Sequence, residues 1–117
     1  MTGGCLCGGV RFVLDAPPRN VLICHCSLCR RSGTLAGAYT SVPRNALRLE
    51  SEATLTWYVD GNGRRRAFCG TCGATLFWSA DDRDTISVSA GALDGATGLV
   101  TERHIFLEDS ADWEATI

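Results

Sequence analysis

Seven cysteines fall into three groups along this chain of 117 residues: Cys5-Leu6-Cys7, Cys24-His25-Cys26-Ser27-Leu28-Cys29 and Cys69-Gly70-Thr71-Cys72-Gly73. Thiolates are soft donors, and Zn²⁺ accepts four of them in a tetrahedron with no redox chemistry of its own. C-x-x-C spacing in a turn brings two sulfurs onto one ion, and Gly70 and Gly73 relieve the tight backbone of such a knuckle. Cys5 and Cys7 lie two apart, so in an extended strand both side chains point to one face. An odd number of cysteines cannot all pair as disulfides, so metal binding is the better account.

The counts suggest a partition into four and three. Cys5, Cys7, Cys69 and Cys72 would make a closed four-cysteine site that ties the start of the chain to a distant hairpin. Closed sites of this kind contribute an apparent ~10–16 kcal/mol in zinc-finger peptides. Cys24, Cys26 and Cys29 would then form a local second site with one open coordination position, as catalytic zinc sites have. Three other arrangements stay open at this point. The triplet can be completed by His25, His104 or an acidic side chain; it can be a metal-free reactive thiol group; or Cys5 and Cys7 can join it.

Residues next to the triplet offer further chemistry. Arg30 can offset negative charge or hold a substrate carboxylate, as can Arg31, against a plainer reading as solvated loop arginines. Ser32-Gly33 can supply donors to a substrate or simply form a turn. In an extended segment the His25 ring points away from Cys24 and Cys26, so packing support is expected of it rather than base catalysis, and His104 reads the same way. Arg64-Arg65-Arg66 reads as the solvent side of a hairpin, with a carboxylate-binding patch as the alternative. Trp57, Trp78 and Trp113 read as core or sheet cover.

The elements that must position these residues are short strands between turn residues. Val10, Phe12 and Leu14 alternate as in a half-buried strand that Pro17-Pro18 ends. Val21 to Ile23 leads into the triplet, a helical turn follows Cys29, and Leu35 to Val42 predicts a strand stopped by Pro43. Leu55, Trp57 and Val59 alternate before Asp60-Gly61-Asn62-Gly63, a turn able to take positive φ, and Arg64 to Phe68 returns from it. Thr75 to Ser79, Thr85 to Ser89 and His104 to Leu107 predict the remaining strands. No segment carries a long apolar stripe at helical spacing, so the fold class is mainly β.

Composition sets the outer limits. This length predicts one domain over residues 1–117, and 45% hydrophobic residues suffice for a packed interior. A chain this size buries about two-thirds of its unfolded surface, so a metal staple helps it. Formal charge is −2, from 13 acidic and 11 basic residues, which argues against nucleic-acid or anionic-membrane binding. MTGGCLCGG lacks the pattern of a signal peptide, and nowhere do about 18 apolar residues run together; a cytoplasmic protein is expected, with no oligomeric state specified.

GGCLCGGVRF (residues 3–12), CHCSLCRRSG (24–33), FCGTCGATLF (68–77), AGALD (90–94) and HIFLEDSADW (104–113) together resemble the glutathione-dependent formaldehyde-activating enzyme family, which also includes centromere protein V. The matches follow family order over nearly the whole chain. The resemblance implies a β-tent fold, in which small antiparallel sheets are drawn together around zinc. It also implies two zinc ions per chain, a structural one on Cys5, Cys7, Cys69 and Cys72 and a catalytic one on Cys24, Cys26 and Cys29. The activity it implies is that of a carbon–sulfur lyase joining formaldehyde and the glutathione thiol as S-hydroxymethylglutathione, with small-molecule thiol and aldehyde as partners. Three thiolates leave such a site with net negative charge, which favours delivery of a bound thiolate over activation of a carbonyl. Related β-tent proteins serve as protein-binding or chaperone-like domains, so a non-catalytic zinc-stabilised binding module is the alternative.

Overall fold

A computed structural model describes residues 1–33 and 35–114. Its strands run, in chain order, β1 (Thr2–Gly4), β2 (Val10–Leu14), β3 (Val21–Cys24), β4 (Gly37–Pro43), β5 (Leu47–Glu52), β6 (Leu55–Val59), β7 (Arg64–Cys69), β8 (Thr75–Ala80), β9 (Thr85–Ser89) and β10 (Thr101–Ile105). One short helix, α1 (Ser27–Ser32), follows β3. The strands form a three-stranded sheet in the order β1-β2-β5 and a seven-stranded sheet in the order β10-β3-β4-β9-β8-β7-β6. The fold is mainly β, as the sequence predicts.

Alternation along β2 buries Val10, Phe12 and Leu14, while Leu76 and Phe77 of β8 and Ile86 and Val88 of β9 come from the larger sheet. Phe12 meets Phe77 edge to face with ring centres 5.2 Å apart, joining the two sheets through an aromatic pair. Gly3 lets β1 pass close to that pair, since a Cβ there would lie 2.5 Å from Phe12 Cζ. At the far side, Thr2 and Arg11 both bond the carboxylate of Asp94, at 2.7 and 2.5 Å. That contact gives the AGALD segment its structural role.

Several elements depart from expectation. Cys5 and Cys7 lie not in a strand but in the turn between β1 and β2, and neither β1 nor β5 stands out in the sequence. Leu35 lies outside β4, and Pro43 is its last residue rather than its stop. The helix begins at Ser27, so it contains Cys29 instead of following it. β10 spans residues 101–105 rather than 104–107, and it pairs with β3 in parallel, with Ile105 opposite Cys24. β6 is an edge strand, so Trp57 and Val59 stay 40% and 60% exposed despite their alternation.

Candidate metal centres

The first centre forms where two turns meet. Cys69 closes β7, and the chain reverses tightly, with Gly73 N–H donating to Cys69 C=O at 2.8 Å and Cys69 N–H to Ala74 C=O at 2.9 Å. Gly73 takes φ +79°, and a Cβ on Gly70 would lie 2.6 Å from Thr56 Oγ1, so both glycines are needed. The N-terminal turn is held opposite by Ser51, whose hydroxyl donates to Gly9 C=O at 3.0 Å. Cys7 Sγ then lies 3.6 Å from Cys69 Sγ and 3.7 Å from Cys5 Sγ, and all four sulfurs, with that of Cys72, fall within 4.8 Å of one another. Zn–S bonds of about 2.3 Å in a tetrahedron place sulfurs about 3.8 Å apart. The donor set fits a metal ion in both chemistry and spacing.

Donors polarise some of these sulfurs for that role, although at Cys7 the Gly9 N–H is outweighed by the Cys69 thiol, burial and the other two thiols, which push it up to about 11. Thr54 Oγ1 lies 3.1 Å from Cys69 Sγ, and the N–H groups of Thr71 and Cys72 point at the same sulfur from 3.4 and 3.3 Å. The Thr54 hydroxyl, with the Cys72 and Thr71 N–H groups, pulls the Cys69 thiol down to about 5. Val10 N–H donates to Cys5 Sγ at 3.2 Å. N–H groups aimed at sulfur favour the thiolate that a metal requires.

The second centre is local. Cys24 ends β3, Cys26 is the N-cap of α1 and Cys29 lies inside the helix. A sulfur replaces the usual capping oxygen: Cys29 N–H donates to Cys26 Sγ at 3.3 Å. The three sulfurs lie within 4.8 Å of one another, and among the described residues no histidine or carboxylate joins them. Burial pushes the Cys24 thiol up to about 12. For Cys26 the same burial is outweighed by the N–H groups of Cys29 and Leu28 and the neighbouring thiols, and its pKa falls. Both cysteine groups can therefore bind a metal ion.

The triplet differs from the quartet in what lies beside it. Cys24, Cys26 and Cys29 line a cavity of about 370 Å³, and none of the other four cysteines does. The floor of this cavity is one face of the larger sheet. Arg66 of β7 stands opposite Trp78 of β8, which stands opposite Ser87 of β9, and the pleat sends Ala67, Phe77 and Val88 to the core instead. Leu22, Ile105 and Phe106 supply apolar wall.

Four arginines line the cavity, Arg19, Arg64, Arg66 and Arg83, and no aspartate or glutamate does. Arg64 and Arg66 are therefore not simply the solvent side of a hairpin; their period of two puts them on the cavity face while Arg65 turns to Asp81 at 2.5 Å. Arg66 Nη2 approaches Cys29 Sγ at 3.8 Å and Nη1 reaches Ser32 Oγ at 3.4 Å. Arg83 stacks on Trp78, 5.5 Å from its ring centre. Arg30 and Ser32 lie outside this lining, and Ser32 donates to Leu28 C=O at 2.7 Å. Of the other tryptophans, Trp57 stacks on Phe77 at 6.5 Å and Trp113 is 65% exposed. Nothing in the spacing marked Arg19 or Arg83, which reach the cavity from outside the cysteine motifs.

His25 is fully buried, with Nε2 2.9 Å from His104 Nδ1, so both histidines turn from the sulfurs toward each other. Among the described residues no helix is long and apolar enough to cross a membrane.

The chain is 22% identical over 114 residues to an uncharacterized lyase of Schizosaccharomyces pombe, a match covering 94% of this chain and 80% of the relative. A Rhodobacter sphaeroides protein of known crystal structure superposes with a TM-score of 0.69 at 28% identity, over 89% of this chain and 99% of the other. Residues 1–109 match the family model described as glutathione-dependent formaldehyde-activating enzyme, and the chain belongs to that family.

Proposed function

We propose that the protein is a zinc-dependent carbon–sulfur lyase acting on a thiol–aldehyde adduct of the S-hydroxymethylglutathione kind. Cys5, Cys7, Cys69 and Cys72 hold a structural zinc; Cys24, Cys26 and Cys29 hold a second one with an open position. The observation that carries this reading is the asymmetry between the centres: only the triplet opens onto the arginine-lined cavity.

A zinc ion held by Cys24, Cys26 and Cys29 would supply acidification of a substrate thiol. The chain's own residues do the rest. Four guanidiniums in a lining that contains no aspartate or glutamate favour an anionic substrate, and Arg64 and Arg83 are available to hold its carboxylates, while Arg19 is already engaged by Ser41 Oγ and Asn20 C=O. Arg66 beside Cys29 offsets the negative charge of three thiolates. Ser32 orients that guanidinium through its hydroxyl, while the apolar wall of Leu22, Ile105 and Phe106 limits water. In the forward direction the thiol sulfur bonds to the aldehyde carbon and the carbonyl oxygen takes up the proton the thiol has lost; the reverse breaks that C–S bond.

The test is a formaldehyde-plus-thiol assay on metal-replete protein, with glutathione beside an uncharged thiol of similar size. Turnover favouring glutathione is expected. In Arg66→Gln, kcat/KM for glutathione should fall by about 10- to 100-fold, the loss of one charge-assisted contact of ~1.5–3 kcal/mol. No turnover with any thiol would replace this reading with the binding module, for which exposed Trp57, Tyr58 and Val59 on the β6 edge are the available surface.

A further inference from the structure

Glu114, the last described residue, carries a side chain only 5% exposed, and its Oε1 lies 2.9 Å from His25 Nδ1. The contact is short, but neither atom completes an aligned hydrogen bond, and among the described residues the second carboxylate oxygen is buried without a partner. Burying a carboxylate on these terms is unfavourable and a poor source of stability. The placement of His25 supplies a reason for it.

His25 stands between Cys24 and Cys26. Those two cysteines face the cavity, whereas His25 does not. Its ring is flanked from behind at both nitrogens, Nε2 by His104 Nδ1 and Nδ1 by Glu114 Oε1, each at 2.9 Å, and the His25 backbone N–H donates to Ile105 C=O at 2.9 Å. Holding the ring fixes the backbone of residues 24–26, and with it the direction of both sulfurs. The segment that delivers Glu114 starts at Phe106, which adopts the left-handed φ 56° and ψ 39°. That conformation is strained for a non-glycine residue. The same turn places Phe106 in the cavity wall.

We propose that Glu114 is a positioning residue for the cysteine triplet. Acting through His25, it holds Cys24 and Cys26 in register for one metal ion, and residues 106–114 form a strap that links the cavity wall to the metal centre. This inference rests on the reading that the triplet binds zinc.

Zinc release from the full chain to a chromogenic chelator tests it. Wild type should carry two zincs of unequal lability. In Glu114→Gln, the more labile zinc should be released about 10- to 100-fold more readily, the usual effect of losing a residue that orients a metal ligand, while the other is unchanged. Glu114→Asp, which keeps the charge, should recover part of the loss and serves as the measurement if Glu114→Gln does not fold. In a His25→Asn background, Glu114→Gln should have no further effect. Two zincs held as tightly in Glu114→Gln as in wild type, equal loosening of both, or additive effects of the two substitutions would each overturn the inference alone. A single zinc in wild type would overturn the metal reading and this inference with it.

Discussion

On the proposed reading, removing one cysteine from each centre should separate a metal that holds the fold from one that does not. The quartet joins residues as far apart as Cys7 and Cys69, 62 positions in sequence, whereas the triplet spans five, 29 minus 24. Loop-closure entropy grows as (3/2)RT ln n, so the longer closure constrains the unfolded chain by about 2 kcal/mol more. The larger difference lies in linkage. An unfolded chain can still gather C-x-C-x-x-C around an ion, and metal bound to the unfolded state cancels stabilisation. It cannot assemble two pairs of cysteines from opposite ends. Loss of the quartet metal therefore removes most of an apparent ~10–16 kcal/mol, which equals or exceeds the ~5–15 kcal/mol margin of an ordinary domain. Cys69 is fully buried in the core, so Cys69→Ala has no alternative packing to rescue it. Cys26→Ala loses mainly the sulfur cap of a six-residue helix, about 0.5–2 kcal/mol. Circular dichroism melts with metal analysis are the assay. Cys69→Ala should be unfolded at about 25 °C. Cys26→Ala should melt cooperatively within about 10 °C of wild type and retain one zinc. If Cys26→Ala collapses as completely as Cys69→Ala, the inequality of the two centres is refuted.

Two further outcomes follow from local geometry. Gly73 sits at φ +79° with open space around its missing Cβ, so Gly73→Ala isolates backbone strain; about 1–2 kcal/mol of destabilisation is expected in a thermal melt, and none would disprove the need for glycine there. The Arg11 guanidinium, and then the Thr2 hydroxyl, hold the Asp94 carboxyl below its ordinary 3.8. A depressed folded-state value means the contribution is full above that pH and is lost as pH falls through the lowered one. The stability gap between wild type and Asp94→Asn, measured by urea unfolding, should therefore narrow between about pH 5 and pH 2; a constant gap would show that the ionised carboxylate is not what matters.

Much of the chemistry was legible because it is written locally. C-x-C-x-x-C and C-x-x-C place sulfurs on neighbouring turns whatever the rest of the chain does, and Gly73 is required by the tight reversal after Cys69. Alternation marked β2 and β9 because each buries one face fully. β5 escaped notice because Leu47-Arg-Leu-Glu-Ser-Glu buries only part of its surface, and β1 because two of its three residues are glycine.

The sequence by itself determined the mainly-β class, the strong donors for two metal centres, and an odd cysteine count that disulfides cannot absorb. Tertiary structure decided which side chains surround them. Arg64 and Arg66 face a cavity only because the other face of β7 is taken by the core, and the parallel pairing of β10 with β3 carries His104 to His25 across 79 residues. Spacing within a strand says which residues share a face; only the packing of two sheets says which face is closed and which opens onto a cavity.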